Sequence, residues 1–512
     1  MKKIKLVLFL SALLSGFSVF SQSKIFDNVL DIEVQSTVEI VNNKQIVGYA
    51  FFYKIDKMKK SALYRLSILD ENLKEIGSNE FEGAKDLYLR RAVYESDRLF
   101  FSFYDKDKTD GYEQFVKVYD LKGKDKGLVP YEPEKVKRGF IGAAMAKGVA
   151  HQMEEMYQGY ENVEGKGYVA VYQGKAKTGG VDIQMVGNNG KLLWEQNYTA
   201  EKGDRTDMYL VGATANTILL FQIERSGLSA ADADVFLIGL SADKGKELFK
   251  KPMDINDFTY EPMLFKKNDD KIIIISTITN HGDKFYNAKP IGLNIGELND
   301  QTGEIKTIKD FMYKTDLSNV LTMVSDSKSE EGYMKIHDMC KLQNGGFILV
   351  GEFFRKTVSG LGVASIVLGG NASASQATVE DLFLLRIDNS LKATALEKIE
   401  KDKQRYPIPA GAAVGLIARY LTYIHGYGYM YTDEGLIGDT KTIVARGSFG
   451  EDKYGTVAIT VDPKKGFTTK RFNLEKEKKV TYFISRAKPG YVMITKYNSK
   501  EKSLSVNLEK VN

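Results

Sequence analysis

His337, Asp338 and Cys340 are the tightest grouping of chemically capable side chains in this sequence. A cysteine beside an imidazole can act as a nucleophile, because the imidazole takes the thiol proton. The same residues also suit an innermost β-strand near the axis of a ring, where Cys packs as a small hydrophobe. His281 and His425 can approach the same axis, but no ligand spacing links them. With one Cys and four His in 512 residues there is little material for a soft-metal site. An intramolecular disulfide is impossible. No metal and no cofactor are expected.

The carboxylates give no sharper signal. Asp105-Lys-Asp107-Lys-Thr-Asp110-Gly111 resembles a calcium loop, but an Asp stands where the glycine belongs and no final Glu follows. A solvated loop accounts for it. Asp and Glu are abundant without the pairing of a glycoside hydrolase. Tyr427, Tyr429 and Tyr431, with Tyr420 and Tyr423, form the most aromatic segment. Such a cluster suits sugar or protein recognition, and it suits a strand core equally well. Val363, Ile366 and Leu368 form the apolar centre of Thr357–Val379, a stretch without charge and rich in Gly, Ala and Ser. These residues, with His281 and His337, are the candidate binding positions.

Residues so scattered need a repetitive scaffold to bring them together. Polar hairpin turns recur at Glu71–Lys74, Lys122-Gly123, Asn189-Gly190, Lys244-Gly245, Thr302-Gly303, Asn389-Ser390, Lys465-Gly466 and Ser499-Lys500. Gly and Asn there supply the positive φ of a tight turn. Upstream of the turns lie short apolar runs such as Leu99–Phe103, Tyr168–Tyr172, Ile218–Phe221 and Phe347–Val350. Strands covered on both faces read this way. The expectation is an all-β fold, a β-propeller of eight four-stranded blades. Seven blades result if the terminal halves share one, and stacked sandwiches are the structural competitor. The last unit, Val480 to Asn512, has three strands, and the run Phe26 to Val34 is expected to supply its fourth. Asn188–Trp194 and Asp300–Glu304 resemble the turn motif of quinoprotein-type blades, which implies a Trp packed between blades. The vicinal cysteines of the quinone enzymes are absent.

Three insertions interrupt the repeat, at 133–160, 357–379 and 407–423. The first has apolar residues at helical spacing and the third reads as a helix. If strands are counted outward from the axis, the first and third join one blade to the next and the second joins a second strand to a third. Strand alternation then puts all three on one face, which marks either a binding face or a lid.

Lys2, Lys3 and Lys5 precede the apolar run Leu6–Leu14, and Val19-Phe20-Ser21 suits a signal peptidase, so residues 1–21 are expected to be a cleaved secretory signal. The body, 22–512, is then one propeller domain. Losing three lysines and no acid lowers the formal charge from +5 to +2, which disfavours nucleic acid as a partner. No transmembrane span follows the signal, and the strands lack the alternation of an outer-membrane barrel. The Phe20-Ser21-Gln22 signal end, Lys-rich turns and Tyr/Lys-rich strands make the chain resemble an uncharacterised family of exported propeller-like proteins of Bacteroidetes-type bacteria. That resemblance implies a Gram-negative envelope, periplasmic or surface-exposed, and no activity. The expected function is binding or scaffolding of an unidentified protein or glycan of the envelope through the insertion face. The alternative is a glycan-active hydrolase or lyase with an axial site.

Overall fold

The computed structural model describes residues 22–511 except 33–36, 43–44, 86, 106–113, 132–158, 174–179, 200–204, 227–232, 269–270, 322–332, 359–374, 409–413, 434–439, 450–451, 463–465, 473 and 475–476. Its strands form eight separate antiparallel sheets, arranged as an eight-bladed β-propeller. Blades 1 to 7 span 37–84, 87–131, 159–198, 205–252, 254–312, 333–407 and 429–472. Blade 8 combines Val480–Arg486, Tyr491–Asn498 and Ser503–Lys510 with Ser23–Phe26 as its outermost strand.

The second strand of each blade is the apolar run seen in the sequence. Leu219, Leu220 and Phe221 in blade 4, and Leu349 and Val350 in blade 6, are fully buried. Each such strand faces two neighbouring blades, so both its faces lose water. The apolar side chains gather into clusters between adjacent blades: Cys340, Val350, Leu384, Ile443 and Ile459, for example, join blades 6 and 7. Trp194 bridges blades 3 and 4, donating from Nε1 to the Ala242 carbonyl at 2.8 Å.

The outer hairpins turn where the sequence places them, by two chemistries. Gly123, Gly190, Gly245 and Gly303 take φ between 66° and 80°. In blades 1 and 6 the left-handed position falls instead on Leu73 (φ 66°) and Leu391 (φ 61°). A non-glycine there costs roughly 1–2 kcal/mol. Burial of Leu73 offsets part of that cost, as does the Asp70 carboxylate, which accepts from the N–H groups of Asn72 and Lys74 at 2.9 and 2.8 Å. Asp388 does the same for Ser390 and Lys392. The turn near Ser499 joins the second and third strands of blade 8 rather than the outer two.

The ring is closed by strand exchange between the two ends of the chain. Ser23 pairs with Asn507 and Phe26 with Leu504. The closing strand is thus Ser23–Phe26 and not the expected run to Val34; Val29 and Ile32 continue into the core between blades 8 and 1. Phe26 packs there against Phe51 and Tyr53.

Strand direction puts the ends of 132–158, 359–374 and 400–428 on one face. The helix expected at 133–160 lies outside the described residues, apart from Gly159 and Tyr160, which begin blade 3. Thr357 and Val358 extend the second strand of blade 6 and Ser375–Val379 begin its third, so the uncharged insertion is shorter than the sequence suggested. The third insertion contains the expected helix, α1 (Val414–Tyr423). Its Leu416, Ile417 and Leu421 are fully buried in a cluster with Tyr209, Phe221, Phe285 and Phe354, over blades 4 to 6.

Candidate functional site in the axial shaft

The innermost strands carry charged side chains to the axis. Glu39 stands on blade 1, Arg91 on blade 2, Glu161 on blade 3, Glu261 on blade 5, Lys335 on blade 6 and Arg486 on blade 8. Each keeps part of its surface in contact with water, except Glu261, which is buried. Sign alternates around much of this ring. Glu39 lies in the field of Arg486 and Arg91, and Glu161 in that of Arg91. Burial pushes both carboxyls above the ordinary range, and the arginines offset only part of that effect.

Helix α1 packs on the insertion-face side of blades 4 to 6 and reaches Glu261. Gly415 sits against Glu261 so closely that a Cβ there would lie 1.9 Å from Oε1. Only glycine permits this approach. The carboxyl accepts from the Tyr209 phenol at 3.2 Å and from the Gly415 N–H. One turn on, Arg419 stacks over the Tyr209 ring at 4.2 Å and donates to the Leu210 carbonyl at 2.9 Å. Burial pushes Glu261 up to about 7. Burial, with Arg419, pushes the Lys335 ammonium down to about 7, and Lys335 donates to the Met263 carbonyl at 2.9 Å.

The third group lies between blades 6 and 7. The innermost strand of blade 6 (Tyr333–Lys341) is bulged at His337, as the register shift between Ile336 and Asp338 records. A bulge re-aims one side chain. Here it lays the imidazole flat on Tyr429, ring centroids 4.7 Å apart, and edge-on to Tyr427, also at 4.7 Å. His337 Nε2 is 3.1 Å from Glu352 Oε2. Glu352 accepts from the N–H groups of Gly428 at 3.0 Å and Tyr429 at 2.9 Å. Lys401 Nζ is 2.8 Å from the other carboxylate oxygen, and neither side chain is exposed. His337 and Lys401 approach obliquely, at ion-pair distance without good hydrogen-bond alignment. Lys401 reaches this point because the outer strand of blade 6 breaks at 400–403, where the Asp381 carboxylate accepts from the Lys401 N–H. Burial alone would raise the Glu352 pKa, but His337 and Lys401 hold it at about 2. Burial lowers that of His337.

The structure therefore brings His337, Tyr427 and Tyr429 together and separates the other candidates. Tyr431 lies further along the same strand, near Glu39 and Arg486. His281 is exposed on blade 5, its Nδ1 3.5 Å from Asp254. Val363, Ile366 and Leu368 lie outside the described residues, as does most of the calcium-like loop. Cys340, on the same strand as His337, is buried in the core between blades 6 and 7. Among the described residues no three His, Cys, Asp or Glu side chains converge on a metal position. Glu352 and Lys401 escaped the sequence reading. A signal was present, since Glu352 is the lone charge in Phe347–Phe354, and such a charge calls for a buried partner.

Solved structures resemble the chain at low identity. The β-propeller domain of the Trilobed protease from Pyrococcus furiosus is 10% identical, with 83% of this chain and 98% of that chain covered at a TM-score of 0.36. A eukaryotic initiation factor is 11% identical, with 89% and 87% covered at 0.34. None of the curated proteins matches the chain. The chain belongs to the DUF6770 family of unknown function, which matches it across residues 1–512.

Proposed function

We propose that this is an exported binding or scaffold protein of the cell envelope that engages its partner through the insertion face. One observation carries the reading: the four longest connections between strands, 132–158, 313–332, 359–374 and 408–428, leave and return on the same face, where α1 also packs over blades 4 to 6. Repeat folds concentrate such additions on the surface they use. The groups capable of chemistry are, by contrast, spent on packing. Both His337 ring contacts are tyrosines and its Nε2 meets Glu352. Cys340 is sealed in a core cluster, and Glu261 is covered by Gly415. This leaves a glycan-active axial centre with less support than binding. Export is supported by the first 21 residues, since cleavage after Ser21 leaves the closing strand Ser23–Phe26 whole.

The test compares the mature protein with a variant whose residues 359–374 are replaced by a short Gly-Ser link. Both are immobilised and exposed to solubilised envelope protein and to purified envelope polysaccharide. Saturable capture of one component by the full protein, lost in the variant at an unchanged melting temperature, supports the reading. Equal capture by both proteins overturns the role of this segment.

A further inference from the structure

We propose that the insertion-face edge of blades 8 and 1 docks on an anionic membrane surface, its lysine-tipped turns 57–60, 478–479 and 500–502 meeting the phosphates of lipid headgroups. This contact deepens the insertion-face reading and rests on it: that face meets the partner, and lipid phosphate is the chemistry it meets. The contact does not need residues 359–374.

Backbone hydrogen bonds join these turns into one surface. In blade 8 the connection into the innermost strand ends at Lys479, and Lys500 and Lys502 lie in the turn between the second and third strands. Ser499 ties the two together, donating to the Lys479 carbonyl from its N–H at 3.0 Å and from Oγ at 3.1 Å. The chain leaving blade 8 then bridges to blade 1. The Val29 N–H meets the Lys502 carbonyl and the Leu30 N–H meets the Lys54 carbonyl, both at 2.8 Å. The strand that carries Lys54 ends at Lys57, and the Met58 N–H closes its turn on the Ser61 carbonyl at 2.9 Å. Strand direction puts all three turns on the α1 face.

Lys57, Lys59 and Lys60 are exposed, and so are Lys478, Lys479, Lys500 and Lys502. None of these ammonium groups makes an ion pair among the described residues. Met58, 37% exposed, places an apolar side chain among the first three. Acids stand beside them: Asp27, Asp31, Asp56, Glu477 and Glu501 are exposed, and Glu33 lies outside the described residues. Glu477 is taken by Lys496 at 2.6 Å. An aspartate side chain is much shorter than a lysine, so an approaching flat surface meets the ammonium groups first.

The charge of the whole chain points the same way. Residues 464–510 hold 13 Lys and Arg against four Asp and Glu, while the rest of 22–512 holds 56 against 63. A positive sector of +9 on a body of −7 turns that sector toward an anionic surface. Of its 13 cations, 11 are lysines. Lysine is a point charge without the planar fork that reads one bound group, which favours a dense layer of headgroups. An exposed apolar side chain beside such cations can enter the headgroup layer. The turns hold no aromatic residue on which a sugar ring could stack.

The test is flotation of the full mature protein with vesicles of phosphatidylcholine alone, or of phosphatidylcholine and phosphatidylglycerol in equal parts. Binding to the mixed vesicles only is expected, and it should be lost in high salt. Lys59→Gln, Lys60→Gln, Lys479→Gln and Lys500→Gln together should weaken it about tenfold or more at an unchanged melting temperature. If that variant fails to fold, Lys59→Gln with Lys60→Gln decides, with a smaller loss in the same direction. Lys122, Lys124, Lys244 and Lys246, exposed on outer hairpin turns of the opposite face, control for net charge. Changing those four to Gln should leave binding within about twofold. No binding to the mixed vesicles, binding unchanged by the first substitutions, or equal loss in the control overturns the proposal. Saturable binding to alginate through the same lysines, with none to vesicles, also overturns it, in favour of an acidic polysaccharide. The variant with 359–374 replaced should float as the parent does, so a failure of that segment's role and a failure of this surface are separate results.

Discussion

Lys401 Nζ and Glu352 Oε1 lie 2.8 Å apart with neither side chain reaching solvent. A pair so enclosed exchanges a large desolvation cost for its attraction, and breaking it from one side strands a charge. Lys401→Met is expected to destabilise the fold by about 3–5 kcal/mol, with His337 and the two backbone N–H groups keeping part of the compensation. Lys401→Met with Glu352→Gln should recover much of that loss. Urea unfolding of the single and double variants measures both. A near-neutral single variant would mean that the pair does not hold blades 6 and 7 together.

Acid should act on this interface and on the turn after α1. The Glu352 carboxyl is held at about 2 against an ordinary 4.5, so its stabilisation is present above 4.5 and lost as pH falls toward 2. The His425 imidazole is pushed down to about 4 by burial, with Arg446 and Arg91 adding to it. Its contribution is present above 6.5 and lost as pH falls through 4. Melting temperature against pH should therefore fall in two stages on the acid side. His425→Asn should flatten the upper stage and Glu352→Gln the lower. Curves that stay parallel to the parent would contradict both assignments.

Gly415→Ala tests the seating of α1 against Glu261. Alanine is the better helix former by roughly 0.5–1 kcal/mol, so propensity alone predicts stabilisation. The Cβ would instead meet the Glu261 carboxylate at 1.9 Å. The expected result is a loss of about 1–3 kcal/mol, with faster amide exchange across α1 than in the parent. A stabilised variant would show that Glu261 moves aside easily.

Phe26→Ala tests ring closure. The side chain is 6% exposed and meets Phe51 and Tyr53 across the seam to blade 1. Truncation is expected to cost about 3 kcal/mol or more. Deleting 22–26 should do something different in kind, since it bares the edge of Ser503–Lys510. Chains lacking the strand are expected to associate edge to edge, visible as concentration-dependent oligomers in size-exclusion chromatography. A monomeric, fully stable deletion would count against closure by this strand.

Turn chemistry made the blades readable in advance. The Gly-bearing hairpins at 123, 190, 245 and 303 mark outer strands directly, and runs such as Phe347–Val350 mark the second strands. The closing strand was misplaced because four residues, Ser23–Phe26, carry too little alternation to announce themselves. Residue type alone marks His337, Tyr427 and Tyr429 as candidates, and the structure joins them. Their partners Glu352 and Lys401 come from a second strand and from a break in an outer strand, positions that only tertiary register reveals. The ring of Glu39, Arg91, Glu161 and Arg486 was illegible for the same reason: each residue is an ordinary surface-type charge on its own strand, and only the closed circle makes them neighbours.

The pairing of Ser23 with Asn507 sets an order on biogenesis. Ser23 leaves the ribosome long before its strand partner Asn507. Blades 1 to 7 can be synthesised and begin to pack while the opening segment waits unpaired. A chain cut before Leu504 would leave that segment with nothing to join. The seam thus makes the two distant strands depend on each other: the circle locks only when both are present, and an unlocked circle displays an unpaired edge.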